Sequence, residues 1–267
     1  FLQGDAAVMV PQTDDGRVLF VIPWNGRALV GTTDTEMDHP EIEPRALQEE
    51  ITFILRNAAR YLARNPGIGD ILSVFAGHRP LVRAQESGLR TRAMSREHMV
   101  IIADSGLVTI IGGKWTTYRK MAQDTVDDAA LVGGLEERPC ITEALPLYGW
   151  DDNAASSSDE HMRVYGANTD QVQAFMESNE TMREPLHPRL LYTAGQVVWA
   201  AQHEMARTVE DVLARRTRSL LLDAKASIEA SPRVAELLAG VLKRDEGWAA
   251  EQTAAYEALA ERYLPGS

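Results

Sequence analysis

The sequence predicts an α+β protein: an antiparallel sheet region carrying two helices, followed by an all-helical portion. Three observations predict this. Short apolar runs separated by turn residues fill much of the first 111 positions. A three- and four-residue hydrophobic period takes over beyond them. Charge changes at nearly the same place: residues 1–130 hold 14 basic and 17 acidic side chains, and residues 131–267 hold 13 and 22. The expected division is a first part over 1–135 and a helical part over 136–267.

The elements follow in order. Ala7-Val8-Met9-Val10 is a short strand stopped by Pro11, and Asp14-Asp15-Gly16 turns the chain. Val18 to Ile22 forms the next strand, and Ala28 to Gly31 the one after it, with Pro23 and Gly26 as punctuation between them. This is the pattern of an antiparallel meander. Leu47, Ile51, Ile54, Leu55, Ala58 and Leu62 then recur at helical spacing, with Pro44 near the start and Asn65-Pro66-Gly67 as the stop. Three further strands are expected: Ile71 to Val82, His98 to Ala103, and Leu107 to Ile111, the last two joined by a tight Asp104-Ser105-Gly106 turn. Gly112-Gly113-Lys114 leads into a helix from Trp115 to about Ala130, with Met121, Thr125, Val126 and Ala129 as its apolar stripe. Gly133-Gly134 and residues 139–146 read as a linker, and 151–159 as a polar, Ser-rich loop.

Helices account for the remainder. Val197, Val198, Ala201 and Met205 line one helical face. Thr208 and Asp211 form a capping pair. Ser231-Pro232 reads as a cap with Pro at the first helical position, and a last helix runs from about Asp245 to Leu264.

Composition excludes several classes. At 45% hydrophobic and 25% charged residues, the chain is globular rather than disordered or fibrous. No apolar run approaches the roughly 18 residues of a membrane span. A net charge of -12 argues against sequence-blind nucleic-acid binding. The single cysteine, Cys140, cannot form an internal disulfide and fits a reducing compartment; between Pro139 and Ile141 it reads as a packed small residue. The chain opens Phe1-Leu2-Gln3-Gly4 without an initiator Met or signal-peptide pattern, so a processed product or an excised piece is expected. His39, His161, His187 and His203 are scattered, and no metal-ligand spacing occurs. There is no G-x-S-x-G nucleophile elbow.

Chemistry concentrates at three places. In Ile110-Ile111-Gly112-Gly113-Lys114-Trp115-Thr116-Thr117, a strand ends, two glycines turn the chain and a helix begins. The free N–H groups of a first helical turn and a lysine suit an anionic ligand. The same spacing also fits a plain strand-to-helix turn with a surface lysine. Arg79, between His78 and Pro80 at the end of an apolar stretch, is costly to bury without an anion, or else it reaches solvent. In Ser95-Arg96-Glu97-His98, strand alternation puts Arg96 and His98 on one face; an exposed salt-bridging run is the alternative. Together these cations suit a phosphate or carboxylate substrate. Arg215-Arg216-Thr217-Arg218 reads mainly as charge pairing at a helix end, with Asp211 or Asp223 as partners.

Five segments in this order carry a resemblance: Phe20-Val21-Ile22-Pro23-Trp24, Gly31-Thr32-Thr33-Asp34, Gly77-His78-Arg79-Pro80-Leu81, Ser95-Arg96-Glu97-His98, and Gly112 to Arg119. With the tail Val209 to Arg218, the chain resembles the FAD-dependent, respiratory glycerol-3-phosphate dehydrogenases over nearly its whole length. The resemblance implies that the sheet region is the later part of a flavin and substrate domain, followed by that family's C-terminal helical domain. It implies oxidation of glycerol 3-phosphate to dihydroxyacetone phosphate, with electrons passing through FAD to a membrane quinone. It places Gly112, Gly113, Lys114, Trp115 and Thr116 along the flavin. Arg79, Arg96 and Lys114 become catalytic, and Arg79, Arg96, His98 and Lys114 substrate-binding. It also implies peripheral attachment at the cytoplasmic side of a membrane and leaves a homodimer open.

Two features depart from the family pattern. No G-x-G-x-x-G loop is present, so the FAD pyrophosphate cradle is not among these residues. A His that many members carry before the Ile-Pro-Trp segment is absent from Gly4 to Val10. The rival readings are a related amine or 2-hydroxy-acid oxidase, and a non-catalytic helical interaction module.

Overall fold

The computed structural model describes residues 1–2, 4–79, 97–151 and 160–266. These fall into two compact units. One gathers residues 1–33, 41–76 and 149–267; the other gathers 34–40 and 77–148.

In the first unit, β1 (Val8–Val10), β2 (Leu19–Trp24) and β3 (Arg27–Gly31) form an antiparallel sheet in that order. Asn25 and Gly26 make the β2–β3 turn, both with positive φ (47° and 71°), which matches the right-handed twist of a two-residue hairpin. Pro23 lies inside β2 rather than ending it. β1 pairs only with Leu19, Phe20 and Val21, so the N–H that Pro23 lacks falls where β2 has a free edge. Alternation sends Val10, Leu19 and Val21 to one face, fully buried against Ala58 and flanked by Ile54 and Leu62. Each such side chain contributes about 1.5–3 kcal/mol of burial.

The helix α1 (Gln48–Ala59) supplies this cover. Glu50 accepts the Leu47 N–H at 2.9 Å and the Thr33 hydroxyl at 2.8 Å. Buried Asn57 ties the helix to the first turn. Its Oδ1 accepts the Asp14 N–H at 3.1 Å, and its Nδ2 donates to the Phe53 carbonyl at 2.9 Å.

The expected strand over Ile71 to Val82 does not form across the described residues 71–79. Its backbone finds helix ends and turns rather than a neighbouring strand. The Val74 N–H donates to the Tyr263 carbonyl, the Leu72 carbonyl accepts from Ala224, and the Ser73 hydroxyl donates to the Leu220 carbonyl.

The helical part of this unit contains α3 (Thr169–Glu177), α4 (Glu180–Arg183), α5 (Ala194–His203), α6 (Ser219–Leu222), α7 (Ala224–Leu242) and α8 (Glu246–Ala260). A 3₁₀ segment, Glu160–Asn168, precedes α3, and a π-turn spans Asp211–Arg216. Its core includes Val197, Val212, Leu213, Leu220, Leu238 and Tyr256. The Thr208–Asp211 cap forms as expected. The Thr208 hydroxyl accepts the Asp211 N–H at 3.0 Å, and the Asp211 carboxylate accepts the Thr208 N–H at 3.1 Å. Met205 leaves the expected face: α5 ends at His203, and Met205 is exposed with φ 60°.

Ser231-Pro232 is not a helix start. α7 begins eight residues earlier, where Asp223 accepts the Ala226 N–H at 3.0 Å. Pro232 then lies mid-helix and removes the N–H that would reach Ile228. The Ser231 hydroxyl donates to that carbonyl at 2.8 Å instead.

In the second unit, β4 (His98–Ile102) and β5 (Val108–Gly112) form the expected hairpin, and Gly106 turns at φ 83°. A 3₁₀ turn, Trp115–Thr117, leads into α2 (Tyr118–Val132). Val126, expected on the apolar stripe, is exposed. Cys140 is exposed rather than packed. A hydrogen bond with the Thr142 hydroxyl at 3.0 Å lowers its thiol pKa, helped by nearby Arg119. Among the described residues, no helix is long and apolar enough to cross a membrane.

Candidate active site

The diglycine turn is the best-defined candidate. The β4–β5 register sets His98 opposite Gly112. Gly112 and Gly113 take φ of 73° and 96°, where an L-residue is strained. A Cβ on Gly113 would stand 2.4 Å from the Met121 Sδ and 3.3 Å from the His98 Cβ. Gly113 therefore lets α2 and His98 close on the turn, so the close approach here is made by the protein itself. Past it, Lys114, Trp115 and Thr116 are exposed, Trp115 at 85% and stacked on Tyr118 with ring centroids 5.3 Å apart. Their backbone N–H groups have no backbone acceptor among the described residues, whereas the Thr117 N–H returns to the Lys114 carbonyl. Lys114 makes no ion pair among the described residues.

The other expected cations divide. His98 joins the turn: its Nε2 lies 2.8 Å from Asp124 Oδ2 on α2, while Lys120 Nζ lies 2.6 Å from Asp124 Oδ1. Hydrogen bonds from Lys120 and then His98 hold the Asp124 carboxyl below its ordinary value. Arg79 is engaged by Asp34, Nη1 to Oδ2 at 3.2 Å. Arg96 lies outside the described residues. The structure thus unites His98, Gly112 and Gly113 at the head of Lys114, Trp115 and Thr116, and separately pairs Arg79 with Asp34.

Sequence reasoning missed Asp124, Met121 and Asp34. The first two sit three residues apart on one α2 face, a signal readable only once that face is known to cover the turn. In the tail, Arg215 pairs with Glu210 at 2.6 Å and with Asp211 at 3.1 Å. Asp223, the alternative partner, is taken by Arg189 at 3.3 Å. Arg216 donates to the Glu204 carbonyl through Nε and Nη2. A groove of about 490 Å³, lined by Met182, Val198, Arg233 and Leu237 among others, contains none of the expected site residues. Among the described residues, no group of three His, Cys, Asp or Glu is placed to hold a metal ion.

Residues 107–252 match the family model for the C-terminal domain of alpha-glycerophosphate oxidase, and residues 2–119 match that for FAD dependent oxidoreductases. The first match spans more than half of the chain, which belongs to the family of the C-terminal domain of alpha-glycerophosphate oxidase. The two matches overlap over 107–119, which contains β5, the diglycine turn and the start of α2.

Among similar proteins, the mouse mitochondrial glycerol-3-phosphate dehydrogenase is 37% identical over 256 residues, covering 88% of this chain and 35% of the relative. The mitochondrial glycerol-3-phosphate dehydrogenase SDP6 of Arabidopsis thaliana is 35% identical over 270 residues, covering 90% of this chain and 42% of the relative. A crystal structure of glycerol-3-phosphate dehydrogenase from Bacillus halodurans complexed with FAD superposes with a TM-score of 0.75 at 27% identity, over 97% of this chain and 53% of that one. The chain therefore spans about two fifths or less of these curated relatives, and about half of the solved chain. The α+β class, with antiparallel sheets followed by a helical domain, agrees with that neighbour.

The chemistry of the turn is compatible with a flavin ring. Its exposed first-turn N–H groups and Lys114, without an ion pair among the described residues, form an electropositive end that suits the polar edge of such a ring.

Proposed function

We propose that the protein containing this chain is an FAD-dependent dehydrogenase that oxidises sn-glycerol 3-phosphate to dihydroxyacetone phosphate and passes electrons to quinone at a membrane surface. The observation that carries this reading is the diglycine turn, which ends in Lys114 and exposed backbone donors inside the segment shared by both family matches. Residues 1–135 would supply the flavin- and substrate-facing part, and 136–267 the helical domain.

Oxidation removes the C2 hydrogen with its electron pair, and the proton of the C2 hydroxyl is released to solvent. Flavin, when bound, would supply the hydride acceptor, and Lys114 would place positive charge beside it. Gly112, Gly113, Lys114, Trp115 and Thr116 would line that ring. Lys114, Arg79 and Arg96 would hold the substrate phosphate and orient C2. Arg79 contacts Asp34 through Nη1, and its guanidinium has further donors suited to an oxyanion. His98 contributes at the edge of the same turn.

Anaerobic mixing of the full-length gene product with glycerol 3-phosphate tests the reading. Flavin bleaching with this substrate, and none with lactate or glycine, is expected. Bleaching with lactate or glycine instead would establish the oxidase alternative. The 267-residue chain alone is expected to bind FAD weakly and to be inactive, because it holds no pyrophosphate loop; stoichiometric yellow flavin on it would refute that part.

A further inference from the structure

The Asp124–His98 contact ties α2 to the β4–β5 hairpin beside the turn on which the reading above rests. His98 is the first residue of β4 and stands opposite Gly112, the last residue of β5. Its Cβ lies 3.3 Å from the position a Gly113 Cβ would occupy, and the Met121 thioether closes the same space from α2. The turn is therefore held between the His98 Cβ and the Met121 thioether. Only the imidazole is anchored by a polar bond, to Asp124 Oδ2 at 2.8 Å. An ionised carboxylate only accepts, so Nε2 carries the hydrogen and the ring orientation is set by α2. Asp124 is itself fixed on its other oxygen by Lys120 at 2.6 Å.

We propose that Asp124 is a positioning residue: acting through His98, it holds the Gly112–Gly113–Lys114 turn in the conformation that presents its backbone donors and Lys114 to the flavin. This rests on the flavin reading of the turn given above. Neither Asp124 nor Lys120 is among the residues assigned above to cofactor or substrate. Their effect reaches the site only through the imidazole, which makes the chemistry of the bond the discriminating variable. An asparagine at 124 can still accept from Nε2, an alanine cannot, and losing Lys120 leaves the His98 bond in place.

The test uses the full-length gene product carrying D124A, D124N, H98Q or K120A. Flavin affinity is read by fluorescence titration, and the visible flavin spectrum is recorded with it. D124A should weaken flavin binding roughly tenfold or more, the size of one charge-assisted hydrogen bond, and shift the flavin absorption band. D124N should restore binding to within about threefold of wild type, and K120A should stay within about twofold. In flavin-free protein, the hydrogen-bonded amides of β4, β5 and the first half of α2 should exchange at least roughly tenfold faster in D124A than in D124N. Wild-type affinity and spectrum in D124A would overturn the proposal, as would equal exchange in the two variants, or a D124N defect as large as that of D124A. A wild-type product that takes up no flavin would overturn the proposed function instead, while the exchange comparison would still judge the clamp.

Discussion

Replacing Gly113 with alanine tests whether the diglycine turn is shaped by packing. Two costs add. At φ 96° an L-residue bears at least the left-handed penalty of about 1–2 kcal/mol. The new methyl would also stand 2.4 Å from the Met121 Sδ and 3.3 Å from the His98 Cβ. Met121 is unbranched, so its tip can swing away, at about 1–2 kcal/mol of lost packing. The His98 Cβ sits on backbone and yields less. The sum is about 2–4 kcal/mol, or roughly 30- to 700-fold in the local opening equilibrium. Hydrogen exchange over peptides covering β4, β5 and the first half of α2 reads this directly. Two controls separate the costs. Gly26→Ala meets open space but has φ 71°, so its own hairpin should loosen by the backbone cost alone. Gly69→Ala has neither constraint and should stay within about 0.5 kcal/mol of wild type. Exchange in Gly113→Ala within threefold of wild type would refute the claim that α2 and His98 close on this glycine.

Other perturbations read the remainder of the fold. Tyr256→Phe removes the buried hydrogen bond with Ser227 and should cost about 1–2 kcal/mol by urea denaturation; no loss would mean that the bond adds nothing beyond ring packing. Ser231→Ala should cost a similar amount by stranding the Ile228 carbonyl, and adding Pro232→Ala should recover most of it by restoring the backbone donor. Independent, additive effects of these two changes would contradict the compensation. Asp15 titrates differently in the folded protein. Partial burial pushes its carboxyl up, but donors on Arg17 and Thr13 outweigh that and bring it down to about 2 from 3.8. Its stabilisation is therefore fully present above pH 3.8 and disappears as pH falls towards 2. Asp15→Asn should flatten the acid limb of the stability curve over that interval and leave the neutral region parallel.

Local patterns were legible wherever local chemistry decides. The β4–β5 hairpin, the helix after Lys114 and the Thr208–Asp211 cap each depend on residues within a few positions of one another, and each stands where spacing put it. Ile71 to Phe75 misled because β-rich composition reports only that a segment is apolar; its hydrogen-bond partners, Leu220, Ala224 and Tyr263, lie about 150 to 190 residues away. Ser231-Pro232 misled for a related reason. A serine before a proline is a good cap, but it can equally repair the helix that the proline interrupts, and the choice depends on Asp223 having already started α7.

The same distinction runs through the site. Sequence alone determined its chemical inventory: two glycines able to turn the chain, a lysine and helix start able to face an anion, and a histidine two positions beyond Arg96. Backbone preference and charge are properties of the residues themselves. Only tertiary structure decided which groups meet. It set Gly113 beneath Met121, directed His98 towards Asp124 rather than towards Arg79, and gave Arg79 to Asp34. Those pairings depend on which face α2 turns to the hairpin and on where distant segments pass, and neither is written in the spacing of any single motif.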